Sequence, residues 1–194
     1  MKRLIPVLSV LALLVLATAA PADLINSAHN FSTTGWSDGQ ICKPCHTPHH
    51  ALQGDPYTFA NHILWNHQIT AATFTMFDGT TGQITTLSKL CLSCHDGTVA
   101  LDSYGGQTGT VFLNSGRKYL GTDLRDDHPV AVEYKEQWHA PASDLQYAVL
   151  WEYNSKKYIE CSSCHEPHNR AGTAYMLRTS NSGSKLCLDC HRNK

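Results

Sequence analysis

Cys42-Lys43-Pro44-Cys45-His46 decides how this chain is read, because the same pattern, C-x-x-C-H, returns at Cys91 to His95, Cys161 to His165 and Cys187 to His191. The four motifs use all eight cysteines of the 194-residue chain. Two thiols two residues apart on a tight turn, followed at once by an imidazole, are the pattern for attaching a c-type haem. The sulfurs form thioethers to the porphyrin, and the histidine takes the iron from one side. A lone C-x-x-C pair can also hold zinc or run thiol redox chemistry, and eight cysteines could form four disulfides. A histidine after every second cysteine, four times over, favours haem. The sequence therefore predicts four covalently attached haem c groups. Cys42, Cys45, Cys91, Cys94, Cys161, Cys164, Cys187 and Cys190 are the attachment residues, and His46, His95, His165 and His191 the proximal ligands.

Upstream of the first motif, Lys2 and Arg3 precede an apolar run from Leu4 to Leu16, and small residues follow from Ala17 to Ala22. That order is a secretory signal peptide over 1–22, too short in its apolar part to span a bilayer. The expected mature protein is a single domain over 23–194, with no membrane span, placed outside the cell or at its surface, or alternatively in the periplasm. Charged residues are 16% of the chain and the formal net charge is −1. With no basic run, a nucleic-acid partner is not expected.

The motifs fall into two kinds. The first and third extend to C-x-x-C-H-x-P-H, Cys42 to His49 and Cys161 to His168. The second and fourth share Ser-Lys-Leu before the first cysteine, Ser88 to Leu90 and Ser184 to Leu186. The chain is thus built from two double units, about 42–95 and 161–191, with 44 residues between His46 and Cys91 but only 21 between His165 and Cys187. The longer connection carries Phe59, Trp65, Phe74, Met76 and Phe77. Thr110 to Leu113 and Arg117 to Leu120 flank Asn114-Ser115-Gly116 as one expected hairpin. Gln146 to Tyr153 and Lys156 to Glu160 flank Asn154-Ser155 as another. Short helices are expected over Ser88 to Cys94 and Gly183 to Cys190. Elsewhere Gly, Asn, Thr, Asp and Pro are too dense for long periodic elements. The expected fold is a multihaem cytochrome c: mostly irregular coil, short helices and one or two small β-hairpins, wrapped around a haem stack.

Of twelve histidines, eight remain after proximal duty: His29, His49, His50, His62, His67, His128, His139 and His168. If every iron is bis-histidine, four of these are distal ligands. That surplus makes Met76 and Met176 packing residues rather than ligands. His49 and His168 hold matched positions three residues past a proximal histidine, each after a proline that restricts the backbone. Neither reaches the far face of its own haem easily, but either could serve a neighbouring one. Asp127 beside His128 could fix its tautomer, as partners of metal-bound histidines do. His29 sits in an N-terminal arm, and His67, close to Trp65, is a substitute ligand. His50, His62 and His139 read as surface groups or hydrogen-bond partners of haem propionates.

Several of these runs together carry a resemblance: Ala28-His29-Asn30-Phe31-Ser32, Cys42 to His49, Leu64-Trp65-Asn66, Leu90 to Ala100, Asp127-His128-Pro129-Val130 and Cys161 to His168. They resemble the doubled C-x-x-C-H cytochromes and, within these, the OmcE-type tetrahaem extracellular cytochromes, whose subunits polymerise into conductive filaments. The resemblance covers essentially the whole mature chain. It implies four bis-histidine haems and selects His29, His49, His128 and His168 as the distal ligands. It also implies a head-to-tail homopolymer in which a histidine from one subunit completes a haem of the next, a role expected here of His29.

The expected function is electron transport, without catalysis, along closely stacked haems to an external acceptor. Redox partners would lie at the cell envelope. A discrete periplasmic tetrahaem shuttle is the alternative, and a multihaem reductase a more distant one, since it needs an iron with an open position.

Overall fold

The computed structural model describes residues 23–49, 51 and 63–192. The expected signal segment, Phe59, His50 and His62 lie outside the described residues. Regular structure is sparse. Among the described residues, three short helices, α1 (Ser88–His95), α2 (Cys161–Cys164) and α3 (Lys185–Cys190), each contain or overlap a C-x-x-C-H motif. Five strands form two small antiparallel sheets. β1 (Phe74–Thr75) pairs with β2 (Thr81–Gly82), while β3 (Val132–Glu133) and β4 (Trp151–Tyr153) flank β5 (Lys156–Ile159). The rest is turns and coil, as composition suggested. Among the described residues, no helix is long and apolar enough to cross a membrane.

The β4–β5 hairpin turns on Asn154 and Ser155, with φ of 50° and 60°. Two left-handed residues in a two-residue loop make the primed turn whose twist matches that of the strands. β5 then runs directly into α2. The hairpin expected around Asn114-Ser115-Gly116 does not form, because its backbone is used elsewhere. The amides of Thr110 and Val111 donate to Asp102 Oδ1, and Leu101 N–H donates to Val111 O. Leu120 N–H and Lys118 O are both spent on His95. Where it adjoins the second motif, that segment is a rail along it.

The apolar core is small: Phe74, Ile84, Leu92 and Leu124, with Met76, Leu120 and Val130 against it. It sits between the first unit and the following loop, and fills the longer connection noted in the sequence. Much of the remaining order is polar. Asp96 is 1% exposed and accepts from Thr98 N–H, Thr98 Oγ1 and Thr70 Oγ1. Asp189, inside the fourth motif, accepts the amides of Gln146, Tyr147 and Ala148. Carboxylates that collect several N–H donors fix loops that little apolar burial could hold.

Candidate functional site

Each C-x-x-C-H motif is a single helical turn. His46, His165 and His191 each donate their backbone N–H to the carbonyl of the motif's first cysteine, at 2.9, 3.0 and 2.9 Å. The turn brings both thiols and the imidazole to one end of the element. A rail of neighbouring chain then orients three of the four rings. His46 Nδ1 donates to Ile63 O at 2.6 Å, His95 Nδ1 to Lys118 O at 2.7 Å, and His165 Nδ1 to Tyr175 O at 2.9 Å. A neutral imidazole that gives its one N–H to a carbonyl presents the other nitrogen as a lone pair, the tautomer that metal ligation requires.

The first and third motifs use the same rail. Asn66 N–H donates to Cys45 O and Thr47 N–H to Leu64 O; correspondingly, Arg178 N–H donates to Cys164 O and Glu166 N–H to Met176 O. Leu64, Tyr175 and Met176 adopt φ near +55° to +60° to make the bend. Non-glycine residues meet that conformation at a steric cost, so the packing around the motif holds them there. This structural repeat has no sequence counterpart, since Ile63-Leu64-Trp65-Asn66 and Tyr175-Met176-Leu177-Arg178 share no residue type at matched positions. Met176 serves here through its backbone, while Met76 packs on the core.

Three histidines that are not proximal stand opposite proximal ones. The ring centres of His46 and His168 are 6.1 Å apart, those of His95 and His29 are 6.2 Å apart, and those of His191 and His128 are 6.4 Å apart. Two imidazoles on opposite sides of one metal, at about 2.0–2.1 Å per bond, put their ring centres roughly 6 Å apart. The spacing suits an iron between each pair. His139 lies closer to His191, at 5.0 Å, which is too short for that role. It packs on Tyr134 and donates from Nδ1 to Lys135 O, so it is not the surface group expected from sequence. His49 is exposed, and among the described residues no ring lies opposite His165.

His29 rests against His95 of its own chain, with Nδ1 3.4 Å from Pro167 O. A single chain therefore does not extend His29 toward a neighbour. Burial, with His95 alongside, holds its pKa at about 4, and the ring is neutral at neutral pH. His67 also departs from expectation. It is 2% exposed, its two ring nitrogens face Gln68 O at 2.8 Å and Ala100 O at 3.0 Å, and its Nε2 lies 3.5 Å from Cys94 Sγ. With both nitrogens engaged by main chain, it is a packing histidine. His128 Nδ1 donates to Pro129 O rather than to Asp127. His168 has the carboxylate partner instead: Nδ1 is 3.0 Å from Glu166 Oε1. Burial pushes the Glu166 carboxyl up, but donors from Arg170 N–H and His168 outweigh it and hold the group below the ordinary range.

All eight cysteines are unpaired. Burial raises Cys45 and Cys164 to about 11 and pushes Cys94 upward, keeping them as thiols rather than reactive thiolates. Among the described residues, no three His, Cys, Asp or Glu side chains converge as a metal cluster. Neighbouring motifs bear on one another electrostatically, Cys45 on Cys94, Cys91 on Cys161 and Cys190 on Cys164. Val149 N–H donates to Ser163 O and Ala148 N–H to Asp189, which joins the third motif to the fourth. Behind the middle junction Glu160 is 1% exposed, and its Oε2 accepts from Thr86 Oγ1, Ser88 N–H and Ser88 Oγ. Cys161 N–H donates to Ser88 Oγ, which ties α2 to α1.

Residues 155–194 match the family model of the doubled CXXCH motif. The match spans the third and fourth motifs, whose C-x-x-C-H pattern implies covalently attached haem c. No curated protein matches the chain. The motif turns suit haem: two thiols at each, a pre-set imidazole at the first three, and a second imidazole at iron-spanning distance from His46, His95 and His191. Sequence reasoning missed the rails, Glu166 and Glu160. The glutamate in Cys161-Ser162-Ser163-Cys164-His165-Glu166-Pro167-His168 was visible, but nothing in one-dimensional spacing says where its carboxylate points.

Proposed function

We propose that this chain carries electrons through four haem c groups and works as a subunit of an extracellular filament that delivers respiratory electrons to an external acceptor. The observation that supports it best is the second imidazole found 6.1, 6.2 and 6.4 Å from His46, His95 and His191, a spacing that suits an iron between each pair. Bound haem supplies one-electron chemistry at an iron whose potential follows its axial ligands and surroundings. The chain's residues hold and orient. Rail carbonyls at Ile63, Lys118 and Tyr175 fix the proximal tautomers of His46, His95 and His165. His168, His29 and His128 stand as distal ligands opposite His46, His95 and His191. The tie between Glu160 and Ser88 keeps the second and third sites together.

His165 and His49 are both exposed, and among the described residues no ring stands opposite either of them. His49 of a second copy set opposite His165 would complete the fourth bis-histidine site and join copies head to tail. On this reading the crossing ligand is His49 and not His29. Export through the 1–22 signal segment, and redox partners at the envelope, complete the proposal.

Electron microscopy of haem-positive material sheared from expressing cells tests it. Uniform filaments from the parent, lost in His49→Ala but retained in His139→Ala, are expected. Discrete particles with haem confined to the periplasm would make the protein a soluble carrier and overturn the filament role.

A further inference from the structure

We propose that Glu166 is a positioning and tuning residue for the haem of the first motif, holding its distal ligand His168 by a carboxylate–imidazole hydrogen bond that lowers that haem's reduction potential. The inference rests on the reading of His168 as an iron ligand opposite His46. It goes beyond that reading by assigning a potential-setting role to a side chain in the third motif.

The geometry is specific. Glu166 Oε1 lies 3.0 Å from His168 Nδ1, and the glutamate side chain is only 12% exposed. Its other oxygen accepts Arg170 N–H at 2.9 Å, which leaves the carboxylate little freedom to turn away. Pro167, between the two, restricts the backbone of the pair. The carboxylate can only accept, so Nδ1 carries the proton and Nε2 presents its lone pair across to His46. Four other ligand rings have neutral partners: His46, His95, His165 and His128 all donate to main-chain carbonyls. An anion on Nδ1–H pushes electron density into the imidazole, making it a more basic ligand than one bonded to a carbonyl. A more basic ligand favours ferric over ferrous iron. The matched position of the first unit is Thr47, whose hydroxyl donates to His49 O and contributes no charge. The two distal histidines that sequence treats as equivalent therefore have different electronic environments.

The test is an optical redox titration of the haem-loaded protein with low-temperature electron paramagnetic resonance, comparing the parent, Glu166→Gln and His168→Ala. Glutamine keeps an acceptor for Arg170 N–H and removes the charge. The expected result is one haem of the four whose oxidised-to-reduced ratio at fixed solution potential falls about tenfold, a rise of about 59 mV for one electron. No haem should change its spin state in Glu166→Gln, while the signal from one low-spin haem is altered. A merely structural Glu166 would lower thermal stability without moving a single potential, and four unchanged potentials would overturn the proposal. His168→Ala separates the underlying reading: a newly high-spin haem supports His168 as a ligand, whereas an unchanged set of haem spin states overturns both the ligand and the tuning role.

Discussion

The first and third motifs share the pattern C-x-x-C-H-x-P-H and the same backbone rail, yet their second histidines end in different places. His168 reaches back across the molecule and stands 6.1 Å from His46, while His49 stays exposed and does not meet His165. The cause lies in what each loop leans on. The Pro167 segment is anchored to the N-terminal arm, with Asn169 Nδ2 donating to Asp23 O and Pro167 O facing His29, and Glu166 braces the His168 ring. Among the described residues His49 has no such brace; Thr47 Oγ1 donates to its backbone carbonyl. A duplicated motif thus satisfies one site inside the chain and leaves the other directed outward. An asymmetry of that kind suits a unit that adds to copies of itself.

Breaking the inward half of this comparison should have the largest effect. His168→Ala is expected to leave four attached haems, since every C-x-x-C-H motif is intact, while one becomes high-spin in the visible spectrum. His49→Ala should leave the spectrum of dispersed chains unchanged; a spectral change there would mean that His49 is a ligand within its own chain. Next comes the apolar cluster around Phe74. Phe74 is fully buried, and Phe74→Ala should cost about 3–5 kcal/mol in denaturant unfolding. A loss below about 1 kcal/mol would mean that attached haem, rather than this cluster, holds the first unit.

Glu160, at the junction between the units, provides a pH test. Burial holds its carboxyl above the usual range, against the opposing donors from Ser88, Thr86 and Tyr153. The folded chain then binds this proton more tightly than the unfolded one. That contribution to stability is complete below the ordinary carboxylate range and is lost as pH rises through the raised pKa. Thermal unfolding of Glu160→Gln against the parent should therefore favour the variant progressively as pH climbs above about 4.5. A difference independent of pH would show that the donors fully offset burial. The smallest effect is expected from Thr47→Glu, which offers His49 the carboxylate that His168 already has. In assembled protein it should lower one haem potential by no more than the shift attributed to Glu166, read by the same titration.

How much was legible in one dimension follows from which interactions are local. The motif turns, α1, α3 and the Asn154-Ser155 hairpin depend on neighbours within a few residues, and sequence patterns located them. The hairpin around Asn114 failed because Asp102 and His95 compete for its backbone, and both contacts are distant in sequence. β3 was missed since two residues pairing with a later strand leave no periodic signal. His67 illustrates the same limit at the site. Its neighbourhood suggested a ligand, but the carbonyls of Gln68 and Ala100 occupy both nitrogens. The resemblance selected His29, His128 and His168 among the spare histidines, but which proximal ring each faces needed three-dimensional distances.

Low-temperature electron paramagnetic resonance of the haem-loaded protein, dispersed and assembled, is the most direct measurement of the central claim. Dispersed chains should show three low-spin bis-histidine haems and one high-spin haem, converting to four low-spin haems on assembly. Four low-spin haems in chains proven monomeric by light scattering would contradict a fourth ligand supplied by a second copy.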